Sequence, residues 1–516
     1  MKVVPWVLCV LSLAPASMST EPQAAAKPDP WAGYVAPADW LKKQPKPKFK
    51  QGHTLPPLTR YGWTLDFDTR VEFAEHWGCC LELGGGYLSE AVVERHLTDP
   101  NNPEAKILAL AAKDPKTYKL AAICSREMPP NDKVPPETWA RDAQGKLLSG
   151  QAKSQDGNTW TPGMEAVYSP ATPDSVWQEA ARLRAEPMRR LREKCPIAIV
   201  LNGGEYGLAV PGWGQKVWEK DPAIVKAKGS RSWDEFASEG TGRLQTTIAD
   251  AVRKAVPDRT LYIYYSVSGN AGPWTWAPGY PDMKRASDLP STESYYMHFN
   301  SGWTGDKDQL TKFLQAKAYE IAGAQPLSYN WLCGGPTHVL ASQYPTDIPT
   351  YTGFLKCCYT AGMIGGNAGY YEYPRYKSPP YPKAVGGFDA KFLPDQPPQW
   401  ILQMMALARV HAEFSHIEPY LRQGDLLTGP EKHRWSKDQP AYEFPTGDVN
   451  ARVLARKLRD KPQWLVTAWA ANGKERKVKV TIPDLGEVTL LARACGSVYE
   501  ATLKGDKISL TPALGD

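Results

Sequence analysis

The chain has 516 residues, more than one ordinary domain holds. Its formal charge of +6 is small for that length and partly local: KKQPKPKFK (42–50) carries five lysines and two prolines, the texture of an extended linker, so no nucleic-acid partner is expected. Beyond the N-terminus no stretch is long and apolar enough to span a bilayer.

Residues 1–20, MKVVPWVLCVLSLAPASMST, place one lysine before an apolar run and then small residues around Ala14-Pro15-Ala16. That pattern predicts a secretory signal peptide, and hence a secreted or periplasmic protein. Residues 21–57 are rich in Pro, Ala and Lys and are expected to wrap or tether rather than fold alone.

From residue 58 strand-like and helix-like runs alternate, the signature of a parallel βα architecture. Strands are predicted at 61–67, 79–85, 119–124, 197–204, 261–267, 291–299, 326–332 and 365–373, with helices such as 176–194 and 309–324 between them and 397–414 after the last. Eight such strands predict an α/β fold, a (β/α)8 TIM barrel over 58–424. A doubly wound sheet is the rival, but no GxGxxG follows the first strand. From 425 to 516 short β-type runs follow one another, with Asn472-Gly473 as a hairpin signal, and predict a C-terminal antiparallel β-sandwich. Long insertions at 125–175 and 206–233 carry Trp139, Trp160, Trp213 and Trp218 on the side where barrels build their active face.

Nine cysteines, among them the adjacent pairs Cys79-Cys80 and Cys357-Cys358, lack the spacing of zinc knuckles. Buried free thiols are the simplest reading, with one or two disulfides open to an exported protein. The excess lies in Trp (19) and Tyr (25). Any single one fills a core, but together they tilt toward a carbohydrate partner, whose rings stack on aromatic faces.

Barrel chemistry sits at the C-terminal ends of strands. Reading those ends gives Asp66 and Asp68, Glu82, Glu205, Glu293 and Glu372. Several carboxylates and aromatics on one rim suit glycoside hydrolysis, which needs one carboxyl group to protonate the leaving oxygen and another to attack or to activate water. No phosphate loop, H-E-x-x-H or G-x-S-x-G motif offers another chemistry, and no metal or cofactor is implied.

NGGEYG (202–207) resembles the Asn-Glu-Tyr-Gly that ends strand 4 in clan-A barrel glycosidases, notably the β-galactosidases with that tetrapeptide. YSPATPDSVWQEAARLR (168–184), ASDLPSTESYY (286–296) and AGMIGGNAGYYEYP (361–374) are similar to the segments around strands 4, 6 and 8 of those enzymes. The resemblance implies Glu205 as general acid/base and Asn202 as a substrate-holding residue. Two glycines separate these residues where the clan has them adjacent, and the strand-7 position of its nucleophile carries Asn330-Trp331. The second carboxylate is therefore Glu372, beside Tyr371, or Glu293, flanked by Tyr295 and Tyr296 and near His298. Tyr206, Tyr296, His298, Asn330, Trp331 and Tyr371 are the accompanying candidates for contact with a sugar. A pair about 6.5–9.5 Å apart implies inversion and one about 5–5.5 Å retention. The reading is a glycoside hydrolase acting on a β-linked, galactose-compatible oligo- or polysaccharide. The alternative is a non-catalytic carbohydrate-binding protein on a glycosidase scaffold that has lost its strand-7 nucleophile.

Overall fold

The computed structural model describes residues 32–59, 65–84, 87–125, 129, 135–148, 168–203, 213–265, 280–289, 291, 296, 327–332, 347–366, 391–431 and 441–513. Among them the N-terminal part is α/β. Helices α1 (Pro37–Leu41) and α2 (Phe67–His76) precede strand β1 (Leu81–Glu82). Then come α3 (Glu90–Thr98), α4 (Pro103–Lys113), β2 (Leu120–Ile123), α5 (Asp174–Arg192) and β3 (Ile197–Gly203). They are followed by α6 (Trp213–Trp218), α7 (Pro222–Lys228), α8 (Trp233–Ala255), β4 (Leu261–Tyr265) and α9 (Tyr280–Ala286).

Strands β1 to β4 form one parallel sheet in chain order, and Leu58 extends it through a parallel bridge to Cys79. A second parallel pair, β5 (Ser328–Tyr329) and β6 (Met363–Ile364), flanks helix α10 (Ile348–Thr360). The two sheets share one interior: Cys80, Ala121, Ile123, Ile199, Leu201 and Ile263 of the first pack with Tyr329 of the second. The Tyr329 hydroxyl donates to the Pro57 carbonyl at 2.7 Å, which ties β5 to the segment that opens the first sheet. Parallel strands linked by outer helices around a common interior are the layout of a (β/α)8 barrel.

The helices form because their sequences carry caps and an apolar face. Ser232 and Glu235 make a reciprocal capping box at the start of α8, and Asn102 caps α4 ahead of Pro103. Val176, Trp177, Ala180 and Leu191 of α5 pack with Leu244, Ile248 and Val252 of α8 over the outer face of the sheet. Helices α11 (Gln399–His416) and α12 (Glu418–Gln423) complete this part. Residues 32–57 strap across them: Trp40 donates to the Pro394 carbonyl (2.9 Å), and the backbone N–H groups of Lys50 and Thr54 donate to Ser415 and Glu418 (3.0 Å each).

The C-terminal module has two antiparallel sheets. One holds β7 (Gly424–Leu426), β8 (Ala451–Leu458), β9 (Gln463–Ala470), β12 (Ser497–Lys504) and β13 (Lys507–Pro512); the other is the pair β10 (Arg476–Ile482) and β11 (Gly486–Ala492). Alternating residues of both, such as Val453, Val466, Val480 and Leu490, meet in one core, so the module is a β-sandwich. Its other face joins α10 through Leu454, Leu465 and Trp469.

Four expectations need correction. The run 61–67 does not stay extended to its end, because Asp66 caps α2 and Phe67 begins that helix. The run 291–299 is not a continuous strand, since Tyr296 is helical. Of the expected run 365–373 only Gly365 and Gly366 are described; they follow β6 (Met363–Ile364) outside its ladder with φ of 76° and 89°, and 367–373 lies outside the described residues. Asn472-Gly473 turns the chain, but as a crossing between sheets: β9 pairs with β8 and β12, and β10 pairs with β11. Among the described residues Cys79, Cys80, Cys124, Cys195, Cys357 and Cys358 are buried free thiols, and Cys495 is free and exposed. No helix among these residues is long and apolar enough to cross a membrane.

Candidate active site

Successive residues of a strand face opposite ways, and the two packing layers show which way is inward. On β2 Ala121 and Ile123 face the interior while Leu120 and Ala122 face the helices; on β3 Ile199 and Leu201 face in and Val200 faces out. Asn202 therefore continues the outward row. Its amide Nδ2 donates to Gln245 Oε1 of α8 (2.9 Å) and to the Tyr262 hydroxyl of β4 (2.8 Å), and the residue is 1% exposed. The structure gives Asn202 a strand-to-helix bracing role, in place of the substrate-holding role expected of it.

Tyr296 is likewise placed in a core. It packs edge-on to Tyr351, lies beside Phe354, and shares a 2.6 Å hydrogen bond with the Thr350 hydroxyl. At 1% exposure it has no free face for a sugar, which corrects its assignment to substrate. Asn330 is completely buried, with Nδ2 donating to Ser328 Oγ at 2.8 Å and Oδ1 without a hydrogen-bond partner. Trp331 is buried two residues beyond the inward-facing Tyr329. Glu205, Tyr206, Glu293, His298, Tyr371 and Glu372 lie outside the described residues. Six tryptophans (Trp77, Trp177, Trp218, Trp400, Trp464 and Trp469) are fully buried, so much of the aromatic excess fills cores; Trp218, expected on a binding loop, is one of them.

The acid that the described residues do bring to the interior is Glu82. It ends β1, 6% exposed, in the inward row with Cys80, while Leu81 and Leu83 face the helices. Burial pushes the Cys80 thiol and the Tyr329 hydroxyl well up, and the nearby Glu82 carboxylate adds to both shifts.

The backbone around Glu82 is held from behind. Arg70 forms a two-pronged pair with Glu104 (2.7 and 3.0 Å) and donates from Nη1 to the Glu82 carbonyl at 2.9 Å. Glu104 also accepts the Gly84 N–H at 2.7 Å. His96 Nε2 lies 3.2 Å from the Gly84 carbonyl, and its Nδ1 lies 3.1 Å from Asn102 Nδ2. An amide NH2 can only donate, so Nδ1 accepts and the proton sits on Nε2, facing the carbonyl. Burial lowers the pKa of His96, in keeping with that neutral form. Arg70, Glu104 and His96 are scattered over two helices and a loop-capped third, so no local motif announces them. The one sequence signal was a carboxylate at a strand end.

No protein-family model matches the chain, and no curated protein matches it. Among solved structures it is similar to the debranching enzyme of Nostoc punctiforme at 13% identity, over 77% of this chain and 78% of that one, with a TM-score of 0.39. The isomaltulose synthase of Protaminobacter rubrum matches at 10% identity over 89% and 99%, with a TM-score of 0.49. A GH36 alpha-galactosidase of Geobacillus stearothermophilus matches at 12% identity over 92% of this chain and 57% of that one, with a TM-score of 0.44. With every score below 0.5, the architecture rests on the chain's own strand order and packing.

Proposed function

We propose that the protein is an exported glycoside hydrolase that cleaves a β-linked oligo- or polysaccharide, with galactose among its candidate sugars, by means of paired carboxylates. Glu205 donates the proton to the leaving oxygen; Glu372 or Glu293 is the nucleophile or the base that activates water. The observation that carries this reading is the convergence of β1, β3 and β5 on one interior whose strand ends hold a carboxylate, Glu82, and an indole, Trp331. Strand β3 ends at Gly203, two residues before Glu205. Carboxylates and aromatic faces together suit a neutral polyhydroxylated ligand and the oxocarbenium-like charge that develops during glycoside cleavage.

The test is a panel of purified glycans offered to the secreted protein and to Glu205→Gln, with product stereochemistry followed by NMR. Wild-type sugar release that drops at least 100-fold in the variant is expected. Equal release by both removes Glu205 from the catalytic role. Binding without release by the wild type favours the non-catalytic carbohydrate-binding alternative. N-terminal sequencing of the exported protein, expected to start after about residue 20, tests the signal peptide.

A further inference from the structure

We infer that Glu82 contacts the substrate, accepting hydrogen bonds from sugar hydroxyls at the inner end of the site, and that Arg70, Glu104 and His96 are positioning residues that aim it. The inference rests on the glycosidase reading and adds to it a third acid and its support.

Strand β1 consists of two ladder residues, Leu81 and Glu82. Sheet hydrogen bonds hold it from the strand side, with the Leu81 N–H donating to the Lys119 carbonyl at 2.8 Å and the Leu83 N–H to the Ala121 carbonyl at 3.4 Å. The helix layer adds a second restraint: the Glu82 carbonyl, the Gly84 N–H and the Gly84 carbonyl each have a buried side-chain partner. Two of those partners are an ion pair with side-chain exposures of 2% and 5%. A buried ion pair is weak evidence for stability, since desolvation offsets its Coulombic gain, whereas it does fix geometry. A buried pair and a neutral histidine converging on the backbone of Glu82 and Gly84 is the arrangement of a supported functional group.

The interior supplies the second observation. Cys80, Ala121, Ile123, Ile199, Leu201 and Ile263 line it with apolar groups. Glu82 brings an ionisable acceptor into that same inward row. An ionised carboxylate is acceptor-only, with two oxygens, and so matches a pair of neighbouring hydroxyl donors on a sugar ring.

Steady-state kinetics on the glycan that the wild type cleaves test this, with Glu82→Gln, Glu104→Gln, His96→Asn and the two double variants that combine each positioning change with Glu82→Gln. Glu82→Gln is expected to raise KM at least 10-fold with a smaller change in kcat. Glu104→Gln and His96→Asn are expected to raise KM 3- to 10-fold, and to add little on top of Glu82→Gln, because they act through the group already removed. If Glu82→Gln does not fold by circular dichroism, Glu82→Asp, which keeps the charge and withdraws it by one methylene, takes its place with the same expectation. Wild-type KM in a folded Glu82 variant overturns the substrate contact and leaves the glycosidase reading standing. Fully additive effects in the double variants overturn the positioning role. A wild-type protein that neither binds nor cleaves any glycan defeats the glycosidase reading, and Glu82's role with it.

Discussion

His411 should make the protein acid-labile, and its replacement by phenylalanine should reverse the ranking of the two proteins with pH. The ring is completely buried on α11, with Nδ1 3.0 Å from the Tyr359 hydroxyl and edge contacts to Phe49, His53 and Tyr359. Burial, with help from His53 and Lys119, pushes its pKa down to about 3. In the unfolded chain the value is about 6.5. Between those values the unfolded state binds the proton and the folded state does not, so stability is full above about pH 6.5 and is lost as the pH falls toward 3. From about pH 6.5 to 4 this amounts to roughly 2.5 units at about 1.4 kcal/mol each, or about 3 kcal/mol. His411→Phe keeps the ring contacts and removes the titration. It also removes one partner of the Tyr359 hydroxyl, which still accepts the Gly365 N–H at 3.3 Å, at a cost of about 1 kcal/mol. Denaturant unfolding at pH 7, 5.5 and 4 should therefore show the wild type ahead by about 1 kcal/mol at neutral pH and behind by about 2 at pH 4. A difference that stays constant across that range refutes a neutral buried His411.

Three further changes probe the frame of the site. Arg456 donates to the carbonyls of Thr360, Tyr420, Leu421 and Gly424 (2.7–3.3 Å), gathering the C-terminal ends of α10 and α12 onto the sandwich; Arg456→Met takes a donor from each, with Tyr420 keeping the Gly424 N–H, and should cost about 3–5 kcal/mol, read by calorimetry. Gly366→Ala would drive a Cβ into the Asn330 carbonyl oxygen at a φ of 89°, so β5 and β6 have to separate and the variant should melt well below the wild type or fail to fold. Asn202→Ala strands Gln245 and Tyr262 and should lower stability by about 1–3 kcal/mol; a large rise in KM with an unchanged melting temperature would return Asn202 to the substrate.

The parallel strands were legible because buried strands are continuous apolar runs. IAIVLNG and LYIYY needed no context to be found, and their observed ends fall within two residues of the expected ones. What such runs cannot reveal is which face is inner, since both are apolar; the substrate-holding role of Asn202 rested on the resemblance alone, and its amide braces α8. The expected strand start at Gly365-Gly366 fails for a different reason: both glycines take positive φ just after the Met363-Ile364 ladder. Asn472-Gly473 shows the limit of local turn chemistry, which specifies that the chain reverses and leaves open which sheet it enters. The clamp on Glu82 was invisible because its parts stand as many as 34 residues apart and converge only after α2, α3 and α4 have packed.

The placement of Asn202 bears on how far the strand-4 resemblance carries. In the clan the Asn and Glu are adjacent, so strand alternation turns them to different sides and each needs its own support. Here Asn202 faces the helices and Gly203, the last strand residue, falls on the inward row without a side chain. The inward carboxylate of this sheet, Glu82, stands on β1, with β2 between it and β3. The two residues are therefore separable by experiment: Asn202→Ala should lower the melting temperature through α8 and leave KM near the wild-type value, whereas Glu82→Gln should raise KM and leave the melting temperature near the wild-type value.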